Sequence, residues 1–212
     1  MVTRTREGPR PSAARPPRLG PLVFVVGASA LGAEIAAARL VAPHFGASTV
    51  IWANTIATVL LALALGYWLG GALADRAPHR RGLSRVIVVA AILLAAVPFA
   101  GGPLLEASAE TLGTAGAGEL VGSLLAIVLL VAPPVLLLGC VAPYALRLTV
   151  SDVQVAGSAA GRLYAISTLG SLIGVWLSAL LLLPLVGTRL TFLAFALALA
   201  VVAAPGLLRP RW

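Results

Sequence analysis

An all-α integral membrane protein of six transmembrane helices is the fold class the sequence predicts, on grounds of composition, apolar segment length and the placement of arginine. Of 212 residues, 60% are apolar and 10% charged, against roughly 45 to 50% and about 25% in soluble globular chains. A water-soluble fold of this length has too little interior to hide so much apolar surface. One spanning helix takes roughly 20 apolar residues, so the chain has room for about six spans joined by short loops. The formal net charge is +8, yet all fifteen basic residues are arginines clustered in particular loops. That clustering reads as membrane topology rather than nucleic-acid binding. The partner expected on these grounds is the lipid bilayer, with no nucleic acid. The single cysteine, Cys140, lies in an apolar stretch, which precludes an intramolecular disulfide and a Cys-rich metal site. No metal and no cofactor are expected.

Residues 1–18 carry Arg4, Arg6, Arg10, Arg15 and Arg18 among prolines and glycines without apolar periodicity, and read as a disordered cytoplasmic tail. The apolar stretch that follows exceeds the usual 7 to 15 residues of a signal-peptide h-region and contains an acid, so it is read as a span. The first span covers about 20–43 and the second about 49–74, separated by the turn Pro43-His44-Phe45-Gly46. The third covers about 84–105. A Gly/Ala/Glu stretch at 106–119 is too polar to span and is expected as a short interfacial helix. The fourth span, about 120–147, contains Pro133-Pro134, which should kink or break it because proline deletes a backbone donor. The fifth covers about 160–186 and the sixth about 189–208. The membrane domain is thus 19–208, with 209–212 as a short cytoplasmic end.

The tail, the 75–85 loop with Arg76, Arg80, Arg81 and Arg85, the 147–162 loop with Arg147 and Arg162, and the end with Arg209 and Arg211 are basic. The 44–48 and 106–119 segments lack basic residues. By the positive-inside rule both termini are cytoplasmic and the protein is multi-pass in the cell membrane. Six spans with both ends on one side allow two three-helix units of opposite orientation. The second span carries Leu65-Gly66-Tyr67-Trp68-Leu69-Gly70 and the fifth Leu169-Gly170-Ser171-Leu172-Ile173-Gly174, each a GxxxG that permits close helix contact. Such a 3+3 inverted repeat is half of a major-facilitator-like fold. A whole carrier of that type needs two halves, so a second copy or a separately encoded partner is expected, with Gly66, Gly70, Gly170 and Gly174 as candidate helix-packing surfaces.

The loop Gly71-Ala72-Leu73-Ala74-Asp75-Arg76-Ala77-Pro78-His79-Arg80-Arg81 resembles the major-facilitator loop signature G-x-L-A-D-R-x-G-R-R, with Ala77-Pro78-His79 in place of the glycine and its neighbour. The resemblance implies a conformational latch in which Asp75 pairs with arginines across the cytoplasmic face, here drawn from Arg76, Arg80 and Arg81. A plain basic loop that fixes orientation is the simpler alternative. The run Glu34-(x)4-Arg39-Leu40-Val41-Ala42-Pro43-His44-Phe45-Gly46-Ala47-Ser48, then Trp52, then Leu63 to Gly71, and later Gly161 to Gly174, is similar to the membrane domain of spermidine-synthase-like proteins over roughly residues 25–190. That resemblance implies a major-facilitator-like membrane part, commonly fused to a cytoplasmic aminopropyltransferase domain, and a link to polyamines. This sequence has no strand followed by a Gly-rich nucleoside-binding loop and no soluble acid pair, so the chain itself is not expected to be an enzyme.

Glu34 is the sharpest functional candidate. An ionisable group at bilayer depth costs on the order of 2.5 to 3.5 kcal/mol on insertion scales, so it is kept toward a protein interior or a watery cavity. It can bind an ammonium group or carry a proton; its alternative is a hydrogen bond across helices that holds the bundle. Positions 34 and 39 are about 140° apart on an ideal helix, so Arg39 is expected at the outer interface or against another helix. Trp52, Tyr67, Trp68, Tyr144 and Tyr164 are candidates for an aromatic cage around ammonium groups. Of these, Tyr67 and Trp68 lie deepest and complete the substrate-binding set with Glu34 and Arg39, with no catalytic residue. Two functions follow as expectations: a carrier component for polyamines or similar small organic cations, or a non-catalytic anchor that holds a soluble enzyme through the Arg76 to Arg85 loop.

Overall fold

The computed structural model describes residues 19–113, 116–150 and 153–208, and the expected tail at 1–18 and end at 209–212 lie outside the described residues. Helix is the only regular structure among them, as a bilayer requires of a chain whose backbone polar groups must be satisfied within each segment. Helix α1 (Gly20–Phe45) takes Pro21 in its first turn, where the missing donor costs nothing, and stops at Gly46, whose φ of 84° is open to glycine. Helix α2 (Thr49–Arg76) is capped by Ser48, whose Oγ accepts from the Ile51 N–H at 3.4 Å. Pro78 follows its end.

Helix α3 (Arg80–Leu112) runs unbroken through Pro98 and Pro103 to Gly113, φ 86°. The interfacial helix expected at 106–119 is therefore not a separate element: Glu106 to Leu112 extend α3. Ala, Glu and Leu are strong helix formers, and nothing in the stretch ends a helix before Gly113. At 33 residues α3 is about 50 Å long, beyond the roughly 30 Å of hydrocarbon, so its polar last turns with exposed Glu106 and Glu110 project past the apolar layer.

Prolines segment the next stretch into α4 (Ala117–Leu130), α5 (Ala132–Gly139) and α6 (Val141–Thr149). The first break, at Val131, precedes Pro133-Pro134 and the second, at Cys140, precedes Pro143. Helix α7 (Val153–Trp176) widens into a π-helical turn, Leu177–Leu182, just before Pro184. A π turn shifts the hydrogen-bond register where a proline removes a donor and crowds the carbonyl before it. Helix α8 (Leu183–Leu208) bends sharply at Gly187, φ 77°. Among the described residues five helical stretches are long and apolar enough to cross a membrane, and Ala117–Leu130 is a shorter apolar one, as in an all-α protein of multi-pass character.

The dominant pairings are α1 with α7, α3 with α8, and α2 with α5 and α6. Lipid tails are as apolar as leucine, so helices associate here through close packing and polar contacts. Between α1 and α7 the residues are small: a Cβ on Gly170 would lie 2.1 Å from the Phe24 carbonyl oxygen, and one on Gly174 2.1 Å from that of Ala28. Ser171 Oγ donates to the Gly27 carbonyl at 3.1 Å and Ser178 Oγ to that of Gly32 at 2.9 Å. Gly66 and Gly70 play the same part between α2 and the α5/α6 junction, against the Leu136 and Cys140 carbonyls. All four GxxxG glycines are thus covered by the chain's own helices and do not face a second copy. Asn54 joins α2 to α4 from the opposite end, donating to the Leu120 carbonyl at 3.0 Å and to Ser123 Oγ at 2.8 Å.

Candidate functional site

Glu34 lies just past the middle of α1, flanked in sequence by fully buried Ala33, Ala36 and Ala37, and is itself half-buried. Among the described residues it has no hydrogen bond and no ion pair, and Arg39 forms none with it. A carboxyl group that the chain leaves unpaired at this depth has its bonding capacity free for a solvent molecule or a guest. The alternative of a satisfied interhelical hydrogen bond is absent from the described contacts.

One turn further on, α1 forms a wall of a cleft of about 470 Å³. Ile35, Ala38, Arg39 and Ala42 line it from α1, Ala47 from the turn that follows, Ile51 and Trp52 from the start of α2, and Ala179, Leu183 and Pro184 from the opposite side. Arg39 is exposed and is the sole charged residue among them. Glu34 sits beside this cleft without lining it.

Tyr67 and Trp68 lie on the open face of α2, 49% and 73% exposed, and neither makes a hydrogen bond or ring contact to Glu34 among the described residues. Tyr164 of α7, also exposed, lies within electrostatic range of Tyr67. The structure thus separates the four expected substrate-binding residues into three places: Glu34 alone, Arg39 in the cleft, and Tyr67 with Trp68 on the α2 face.

At the basic end, Asp75 meets Arg147 of α6, Nε to Oδ1 3.2 Å, with side chains 73% and 53% exposed. The acid of the expected latch therefore reaches across to the end of α6, while Arg76 and Arg80 point to solvent from the loop itself. Arg147 had signalled only orientation in the sequence. Tyr144, a candidate there for the aromatic cage, is buried: its hydroxyl donates to the Ala77 carbonyl, lies 3.2 Å from that of His79, and accepts from the His79 N–H at 3.4 Å. It fastens the 77–79 loop onto α6. Pro78, with no N–H of its own to offer the turn, is the sequence signal for such an anchor.

These contacts have unequal weights. A solvent-exposed ion pair contributes about 0 to 1 kcal/mol, so Asp75→Asn should move the thermal unfolding midpoint in detergent by no more than about a degree or two. Tyr144→Phe removes the hydroxyl that ties the loop to α6 while the loop carbonyls keep their backbone donors, His79 N–H on Ala77 at 2.8 Å and Leu83 N–H on His79 at 3.3 Å, at about 0.5 to 1.5 kcal/mol, and should give the larger drop in the same melting measurement.

Compared with protein-family models, curated proteins and solved structures, the chain matches none in any of the three.

Proposed function

We propose that this chain is a carrier component for polyamines or similar small organic cations, built as half of a major-facilitator-like fold, with Glu34 as the acid that receives the cation or its exchanged proton. The observation that carries this reading is the state of Glu34: an acid in a long apolar helix, partly accessible and without a partner among the described residues. An acid kept for architecture would be expected to have its oxygens occupied.

Support for the three-plus-three arrangement comes from matching contacts. Gly66 faces the Leu136 carbonyl as Gly170 faces that of Phe24. Gly70 faces Cys140 as Gly174 faces Ala28, and Gly139 faces the Leu63 carbonyl as Gly27 faces that of Ser167. One fixed residue offset carries α2 onto α7 and a second carries α5/α6 onto α1 in all three cases. Two helix pairs packed through corresponding residues are what a repeated three-span unit would produce. With that topology, both termini face the cytoplasm and the half needs a second copy or a separately encoded partner to enclose a cavity. Chemical cross-linking in native vesicles should trap such a pair; a lone monomer at all protein-to-lipid ratios contradicts it.

The test is uptake. Purified protein in liposomes should accumulate radiolabelled spermidine or putrescine above protein-free vesicles, and Glu34→Gln should remove that uptake. The anchor reading has its own support in the 76–85 loop, which Tyr144 holds in place while Arg76, Arg80 and Arg85 stay exposed. It predicts co-purification of a soluble aminopropyltransferase-like enzyme, lost when those three arginines become glutamine and unaffected by Glu34→Gln.

A further inference from the structure

The cleft between α1, the start of α2 and the π turn before α8 belongs to neither the Glu34 reading nor the latch. Its volume, about 470 Å³, falls in the range of roughly 300 to 1,000 Å³ typical of small-molecule sites. Nine of its ten lining residues are apolar, and the tenth is Arg39. Arg39 has no ion pair or hydrogen bond among the described residues. A single guanidinium beside apolar walls complements a ligand with one anionic head and a hydrocarbon body, because the planar fork binds phosphate through paired N–H donors. An organic cation meets the wrong sign here.

The basic end supplies the contrast. The two offsets that match the glycine contacts carry Asp75 onto Ala179 and Arg147 onto Ile35. At the basic end these positions close the helix junction with an ion pair. In the cleft, their counterparts are two apolar lining residues, and the arginine present has no carboxylate opposite it. No described residue supplies an anion there, which leaves the guanidinium open to one from outside. Trp52 at the same rim, 45% exposed, is the residue type that settles at headgroup level.

We propose that this cleft is a binding site for one anionic phospholipid, whose phosphate pairs with Arg39 while an acyl chain lies along Ile35, Ala38 and Ala179. The experiment is native mass spectrometry of the full chain released from vesicles of equal phosphatidylglycerol and phosphatidylcholine. The expected result is retention of one phosphatidylglycerol in preference to phosphatidylcholine. Arg39→Gln should reduce that retention by about tenfold, the scale of one lost charge-assisted hydrogen bond. Ala179→Leu, which fills the cleft from the opposite wall with the charge intact, should reduce it as well. Inorganic phosphate alone should not compete, since the apolar body supplies part of the affinity. Equal retention of the two lipids, or retention unchanged in both variants, overturns the proposal and leaves Arg39 as a side chain reaching to interfacial water. Displacement by inorganic phosphate alone also overturns it. Cation uptake through Glu34 is read separately, so failure here leaves that reading standing, and the reverse holds.

Discussion

Converting Gly170 and Gly174 together to alanine is expected to separate α1 from α7 and to cause the largest loss of stability of any conservative change in this chain. Each new Cβ would sit 2.1 Å from a backbone oxygen, of Phe24 and Ala28 respectively. Backbone cannot swing aside as a side-chain tip can, so the helices must move apart. Overpacking costs about 1 to 3 kcal/mol per site. Separation also stretches the bonds from Ser171 and Ser178 to the α1 carbonyls. Thermal unfolding in detergent should therefore show the double variant destabilised by about 3 kcal/mol or more. Gly71→Ala provides the contrast, since nothing lies within 4 Å of its added Cβ. Glycine in a helix interior is worse than alanine by roughly 0.5 to 1 kcal/mol, so that variant should be unchanged or slightly more stable.

The second large effect is functional. Glu34→Gln keeps the shape of the side chain and removes its charge, and no described residue is a partner that would miss it. Folding should be untouched, or mildly favoured, because a neutral amide is cheaper than an acid in a lipid-embedded helix. Cation transport should fall by roughly 30- to 160-fold, corresponding to about 2 to 3 kcal/mol for a hydrogen-bonded charge contact. Preserved folding with lost uptake separates this reading from the anchor reading, under which the same variant is silent.

The long apolar segments were legible because the bilayer imposes length and hydropathy directly, and glycines and prolines at Gly46, Gly113 and Val131-Ala132-Pro133 mark where helices stop. The extent of α3 was not. Polarity at Glu106 and Glu110 signalled departure from the membrane, but polarity alone does not end a helix whose residues favour it. Gly66, Gly70, Gly170 and Gly174 announced close packing without saying against what, since GxxxG carries no address for its partner. The site was less legible still. Glu34 stood out by cost alone, whereas Arg147 and Tyr144 reveal themselves only when α6 is brought against the 77–79 loop, more than sixty residues away. Tyr67 and Trp68 showed depth in sequence, but which way a helix turns its aromatic residues depends on neighbours that no local pattern names.

Equilibrium titration of spermidine into the purified protein in lipid nanodiscs, with the wild type beside Glu34→Gln and Arg39→Gln, tests the central claim most directly. The account predicts saturable binding to the wild type and to Arg39→Gln, and its loss in Glu34→Gln with an unchanged melting temperature. Binding of equal strength in Glu34→Gln, or none in the wild type, would contradict it.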